Sequence, residues 1–334
     1  MKKILIIGFG SIGKRHLRII REFFPKSLIM VFRNSLKESC CADFLTNNFE
    51  EALAFNAEIA VIACPATFHI GYARSLLLNG SHTLIEKPIA ASFSDVKDFK
   101  NLLKNSNLCC QVGYNLRHSN SFNKFKYFLT EEKLVGETLY VKSVFGQYLP
   151  TWRQHIDYRK SVSAKKSLGG GILLEISHEI DYLIWLFGGV KWVSAWTGKL
   201  SDLEVDVEDF ANITCEFNGK LLNEKIMGSI HLDFIRQDQT RFCEIIGTKG
   251  TMKLDAENNE IFIKKNNRND WVKIYNSNES RDDSFRNQFS YFLDSIRCKQ
   301  FNTDSFDNSI KVLEVIEAIK LSAKEQCRSI FVNN

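Results

Sequence analysis

The run Ile4-Leu5-Ile6-Ile7-Gly8-Phe9-Gly10-Ser11-Ile12-Gly13 constrains this chain more than any other stretch. Its apolar residues do not alternate with polar ones, so a strand built from them needs cover on both faces, as in a parallel sheet. The strand runs straight into a GxGxxG turn that opens a helical pattern. In that setting Gly8 permits the tight turn, Gly10 lets the backbone approach a pyrophosphate, and Gly13 lets helix lie close on strand. The amides that begin the helix, at Ser11, Ile12 and Gly13, suit an anion. The spacing predicts a dinucleotide site, against the plainer reading of a glycine-rich turn.

The pattern repeats. Apolar runs at 28–32, 59–64, 83–86 and 108–113 alternate with helical periodicity at 12–23, 69–78 and 93–103, which predicts a doubly wound α/β domain with a parallel sheet. Beyond Tyr114 the rhythm changes. One helix is expected over 173–187, followed by strands near 190–199, 210–217, 224–234, 241–247, 250–254, 259–264 and 271–275. Turn residues such as Gly188-Gly189, Asn218-Gly219 and Asn258-Asn259 separate several of them, so a large, mostly antiparallel open sheet is expected. Amphipathic helices at 283–296 and 305–324 close the chain. With 334 residues, two domains are expected, 1–117 and 118–334.

Charge excludes several functions. Lys and Arg exceed Asp and Glu by 5, spread along the chain without a basic stripe, so nucleic acid is not an expected partner. No apolar run approaches a membrane span and no signal-peptide pattern is present, so a cytoplasmic location without membrane contact is expected. The nine cysteines are odd in number, lack a CxxC, and mostly sit in apolar runs, so neither a disulfide nor a metal is expected.

Twenty residues after Gly13, where an acidic side chain would take the ribose hydroxyls of NAD, the chain has Arg33. A guanidinium pairs instead with a 2′-phosphate, with Asn34, Ser35 and Lys37 as further donors, so NADP is favoured over NAD. The alternative is an arginine stacking on the adenine without selectivity. Two of the four prolines end strands, in Cys64-Pro65-Ala66-Thr67 and in Glu86-Lys87-Pro88. Ligands sit at the carboxyl ends of such strands, which puts Lys87 at the mouth of the nicotinamide pocket. If 174–186 is helical, His178 and Asp181 share a face, so the carboxylate can orient the imidazole as an acid/base for an alcohol. The plainer reading is a structural hydrogen bond. Arg117, Arg153, Arg159 and Lys165, with Trp152 and Tyr158 among them, suggest an anionic sugar rather than solvated charge.

Taken together, Gly8 to Gly13, Cys64-Pro65 with His69, Glu86-Lys87-Pro88, Gly113 to Arg117, Gly169-Gly170-Gly171 leading to His178 and Asp181, and Gly247 to Thr251 resemble the glucose-fructose oxidoreductase / inositol dehydrogenase / MocA (Gfo/Idh/MocA) family over nearly the whole chain. The resemblance implies a Rossmann domain followed by an α/β domain whose open sheet binds substrate on one face and builds a homodimer or homotetramer on the other. It implies that Cys64, Pro65, Thr67, His69, Glu86 and Lys87 line the cofactor, and that Lys87, His178 and Asp181 are catalytic. Many members have an aspartate four residues before the histidine; this chain has Glu175, three before, as a candidate substrate contact. Trp152-Arg153, Asp157-Tyr158-Arg159 and the segment Ser177 to Asp181 are similar to a subgroup associated with sugar and surface-polysaccharide biosynthesis. The expected activity is hydride transfer between a nicotinamide and a hydroxyl carbon of a sugar, sugar acid or nucleotide sugar. The competing readings are a redox-elimination glycosidase with bound cofactor and a non-catalytic NADP-sensing regulator.

Overall fold

A computed structural model describes residues 2–35, 41–153, 156–219, 225–265, 270–299 and 304–332. Lys37, named above as a donor, lies outside the described residues, as do one of the nine cysteines, Cys40, and residue 224 at the expected start of a strand. The chain forms two compact units, residues 1–115 with 281–310, and residues 116–280 with 311–334.

The first unit runs β1 (Lys3–Ile7), α1 (Ser11–Phe23), β2 (Leu28–Phe32), β3 (Phe44–Thr46), α2 (Phe49–Ala54), β4 (Ile59–Ile62), α3 (His69–Leu78), β5 (His82–Glu86), α4 (Lys97–Lys104) and β6 (Cys110–Gly113). Its six strands are parallel in the order β3-β2-β1-β4-β5-β6. The order reverses between β1 and β4, which is the switch point where a doubly wound sheet binds its ligand. β3 and α2 were not anticipated. Three strand residues carry no readable period, and α2 is marked only by Asn48, whose side chain accepts from the Glu50 amide at its N-terminus.

The second unit opens with α5 (Asn120–Thr130) and β7 (Thr138–Gly146), followed by α6 (Ile172–Glu175), α7 (His178–Phe187), β8 (Val190–Gly198), β9 (Phe210–Phe217), β10 (Ile226–Asp233), β11 (Thr240–Gly247), β12 (Gly250–Asp255), β13 (Glu260–Lys265) and β14 (Val272–Asn276). After α8 (Arg281–Arg297) the chain returns through α9 (Asp304–Lys324) to β15 (Ile330–Phe331). The sheet has nine strands in the order β14-β13-β12-β11-β7-β10-β9-β8-β15, antiparallel except for β7 beside β10. Alternation gives it two unlike faces. Ile226, Ile230 and Leu232 of β10 and Ala211, Ile213 and Cys215 of β9 are buried, whereas Asn212, Thr214 and Trp196 are exposed. The single helix expected over 173–187 is two. Ile176 leaves helical geometry (φ −111°, ψ 30°), and the ladder restarts from the Ser177 carbonyl, which accepts from the Asp181 amide.

The segment 281–310 departs from the expected cut at 117/118, because α8 belongs to the first unit. Ile4 and Ile6, Ile29 and Val31, Ile59 and Val61, and Leu84 form one apolar face of the parallel sheet. Leu17, Ile19 and Ile20 of α1 join that core, and Phe285, Phe289 and Phe292 of α8 complete it. Phe289 is fully buried and meets Phe23 edge to face at 5.3 Å. Phe289→Ala should therefore lower unfolding stability by about 3–5 kcal/mol, seen as a lower urea midpoint at unchanged m. Arg297→Ala, at the exposed end of the same helix, should stay within about 0.5 kcal/mol.

Candidate functional site

In the first unit the three glycines have different physical reasons. Gly8 adopts φ +91°, and a Cβ there would stand 2.5 Å from the Ala63 carbonyl oxygen at the end of β4. A Cβ on Gly13 would lie 2.2 Å from the Gly8 oxygen, so the chain itself fills the space beside these two. Gly10 faces nothing within 4 Å. That opening lies at the N-terminus of α1, where no side chain caps the helix and no acidic residue occupies the first turn. A dinucleotide diphosphate fits these residues, because free amides and the positive helix end meet an open approach. Arg33 follows β2, and its guanidinium stands 5.7 Å from the ring of Phe9 inside the glycine turn. Lys14 approaches the same ring from 5.8 Å.

The Cys64–Pro65 and Lys87–Pro88 turns follow the adjacent strands β4 and β5. Burial pushes the Cys64 thiol up to about 12, so it stays neutral and acts as a small apolar group. Thr67 is exposed. His69 is buried, and its two ring nitrogens stand 2.9 Å from the Pro88 carbonyl oxygen and 2.8 Å from that of Cys64. Its side chain therefore lies between the two turns instead of facing outward, with the one N–H of the neutral ring donating to one of the two carbonyls. Glu86 is also buried, with Oε1 2.6 Å from Nε2 of His16 on α1 and Oε2 accepting from the Lys87 amide at 3.3 Å.

In the second unit His178 is the first residue of α7 and is 9% exposed. Asp181 follows one turn later and is buried. Arg117 donates Nε to Oδ2 at 2.8 Å and Nη2 to Oδ1 at 2.7 Å. Two residues expected to serve the site, Arg117 and Asp181, thus pair with each other. Burial raises the Asp181 carboxyl above the usual aspartate value, and Arg117 opposes that rise. Glu179, next to His178, is fully buried against Arg241 at 2.8 Å. Gly171 of the glycine run has φ +107°, and a Cβ there would stand 2.4 Å from Oε1 of Glu208. That carboxylate accepts from the Leu173 amide at the start of α6, the helix that ends in the half-buried Glu175.

The remaining cations also separate. Arg159 is half exposed and paired with Asp157 and Glu204, so it is a surface charge already answered. Arg153 lines a pocket with Leu149, Trp152, Ile156, Tyr158, Ser161 and Ser163. The Trp152 indole donates to the Gln147 carbonyl at 3.1 Å and packs edge on against Phe145 and Phe234. The Tyr158 hydroxyl accepts from the Glu204 amide. Ser163 is buried with no partner for Oγ among the described residues. Lys165 is half-buried, and its carbonyl accepts from the Gly170 amide. Sequence reading missed His16, Ser163 and Glu208; a polar residue in a helix or loop carries no signal until its buried neighbours are known.

The profile of an oxidoreductase family, "NAD-binding Rossmann fold" (GFO_IDH_MocA), matches residues 2–114, and that of the same family's "C-terminal alpha/beta domain" matches 129–329. The chain is 25% identical over 273 residues to glucose-6-phosphate 3-dehydrogenase of Bacillus subtilis (strain 168), covering 78% of this chain and 77% of that one. It is 25% identical over 239 residues to scyllo-inositol 2-dehydrogenase (NADP(+)) of the same organism, covering 68% and 63%. The structure of levoglucosan dehydrogenase in complex with NADH is similar at a TM-score of 0.84 and 20% identity, over 100% of this chain and 99% of the other. That of myo-inositol 2-dehydrogenase from Lactobacillus plantarum follows at 0.82 and 16%, over 99% of each chain. At such identities the structural likeness is one of fold.

Buried histidines make the stability acid-sensitive. Burial, with Arg117 beside it, lowers His118 to about 4, and burial lowers His69 as well. The folded state then binds fewer protons than the unfolded one below the ordinary histidine value of about 6.5, so stability is full above that pH and is lost as pH falls toward 4. Thermal melts should drop over this window, and His118→Asn should flatten the slope. A variant with the native slope would show that His118 does not titrate in this way.

Proposed function

This chain belongs to the Gfo/Idh/MocA oxidoreductase family and is an NAD-binding oxidoreductase; on that premise we propose that it transfers hydride between NADP and a hydroxyl carbon of an anionic sugar. The open approach over Gly10, with Arg33 beside it, carries the cofactor part of this reading. The bound nicotinamide supplies the hydride acceptor. Lys87 is assigned to the reacting oxygen, where its ammonium stabilises developing negative charge. His178 takes the hydroxyl proton as the carbonyl forms and returns it in the reverse direction. Asp181 supports this step through the fold, since with Arg117 it fixes the first turn of α7 behind His178.

The names of the two curated relatives support a sugar or cyclitol as substrate class. An anionic member of that class is favoured by the pocket of Trp152 and Tyr158, where Arg153 has no ion-pair partner among the described residues. Arg153 thus takes the place that four cations shared in the sequence, with Lys165 and Glu175 as further candidates. On the face of the nine-stranded sheet that carries the exposed Trp196, Phe210 is in ring contact with both Trp196 and His231, which supports a homodimer or homotetramer built there. The described cysteines are all free, in keeping with a cytoplasmic enzyme.

Cofactor binding tests the first part. NADP should bind more tightly than NAD, and Arg33→Asp should reverse the order by replacing the partner of the 2′-phosphate with a like charge. Equal affinities in the native protein would reject it. For the second part, cofactor reduction should be screened with glucose, glucuronate, UDP-glucuronate and myo-inositol. An anionic sugar should lead, and a clear preference for myo-inositol would overturn the assignment. With the best of these, His178→Ala should bind NADP normally and lose roughly 10²- to 10⁴-fold in turnover; near-native turnover would move the proton to another group.

A further inference from the structure

The Glu86–Lys87–Pro88 turn is gripped from both sides by buried imidazoles. On one side Glu86 Oε1 lies 2.6 Å from Nε2 of His16, whose ring is 1% exposed and meets Phe285 edge on at 5.8 Å. On the other, the Pro88 carbonyl oxygen lies 2.9 Å from Nδ1 of His69, whose other nitrogen faces the Cys64 carbonyl at 2.8 Å. Neither histidine comes from the turn it holds. His16 sits in the helix that begins at the glycine turn, and His69 opens the helix after the Cys64–Pro65 turn. A buried carboxylate without its partner costs far more than the pair gains, so Glu86 is confined to the place where His16 meets it. Gly113 leaves room for this arrangement, because a Cβ there would stand 3.3 Å from the Glu86 carboxylate.

We propose that His16 and His69 are positioning residues for Lys87: through Glu86 and the Pro88 carbonyl they tie its turn to the two elements that border the cofactor. This reassigns Glu86 and His69, expected to line the cofactor, as supports behind it. Nicotinamide binding and lysine placement become parts of one rigid assembly, and a shift of α1 moves the turn through a hydrogen bond, not through packing alone. The inference rests on the reading of Lys87 given above, yet its test does not need the substrate.

Full-length protein is reductively methylated with ¹³C-formaldehyde, and the Lys87 resonance is identified by its loss in Lys87→Met. Amide exchange over residues 83–90 is followed with and without NADPH. In His16→Leu and His69→Leu the Lys87 resonance should move, and exchange over 83–90 should accelerate roughly tenfold or more. His16→Gln and His69→Gln retain an amide donor and should restore most of the native signal. NADPH should slow exchange over 83–90 in the native protein and do so less in His16→Leu. A purely structural role would lower the melting temperature and speed exchange throughout the first unit without singling out 83–90. Should the leucine variants fail to fold, Glu86→Gln, which keeps shape and removes the charge, is read in the same way. Folded variants with an unmoved Lys87 resonance and native exchange over 83–90 overturn the proposal. Native turnover in Lys87→Met on the best sugar of the screen would instead overturn the role of Lys87, leaving the clamp measurements as they stand.

Discussion

A parallel sheet must be covered on both faces, and the first unit cannot meet that demand with its own first 115 residues. Ile4, Ile6, Ile29, Val31, Ile59, Val61 and Leu84 present a continuous apolar face, and Leu17, Ile19 and Ile20 of α1 join only part of the core against it. The rest is supplied by α8, whose Phe285, Phe289 and Phe292 arrive after some 165 residues of another unit have been built. At roughly 25 cal/mol per Å² of apolar surface, three phenylalanine rings contribute several kcal/mol, comparable with the net stability of a domain. The chain is therefore committed to returning, and the first unit is discontinuous in sequence because its core is incomplete without that return.

This also separates what the sequence discloses from what it hides. The GxGxxG turn was legible because its spacing is read within six residues, although of its contacts only that of Gly13 with the Gly8 oxygen is local: Gly8 meets Ala63 after β4, and Gly10 meets nothing within 4 Å. The strands of both sheets were legible from their apolar runs. The destination of α8 was not, because an amphipathic pattern specifies that a face is buried but not against which partner. β3, with three residues, is shorter than any window in which a period can be counted. The break at Ile176 was hidden for another reason: Leu173, Leu174, Ile176, Ile180 and Leu183 are buried on both sides of it, so the apolar pattern continues while the helix does not.

The charged residues of the site show the same division more sharply. Four cations around Trp152 and Tyr158 looked equivalent in sequence. In space Arg117 answers Asp181, 64 positions away, and Arg159 answers Asp157 and Glu204, which leaves Arg153, in the pocket, and the half-buried Lys165. Charge in a sequence is a count, whereas recognition depends on which charges are already neutralised. A substrate anion competes poorly with a buried bidentate carboxylate, since leaving Asp181 unpaired would cost several kcal/mol.

Buried pairs of this kind are poor sources of stability, because desolvating two charges offsets most of their attraction. Their value lies in geometry: a pair out of register is penalised steeply, so only one arrangement of its elements survives. Arg117–Asp181 and Arg241–Glu179 bracket the first turn of α7, where His178 stands, and the buried hydrogen bond between His16 and Glu86 imposes the same directionality next to Lys87. In each unit the residue assigned to chemistry is thus flanked by a buried polar contact between side chains far apart in sequence, while the apolar core around it would tolerate small displacements. The chemistry proposed for Lys87 and His178 needs their heavy atoms held to within a fraction of an ångström. Hydrophobic packing alone is non-directional, so under the proposed roles these contacts supply the precision that Lys87 and His178 need.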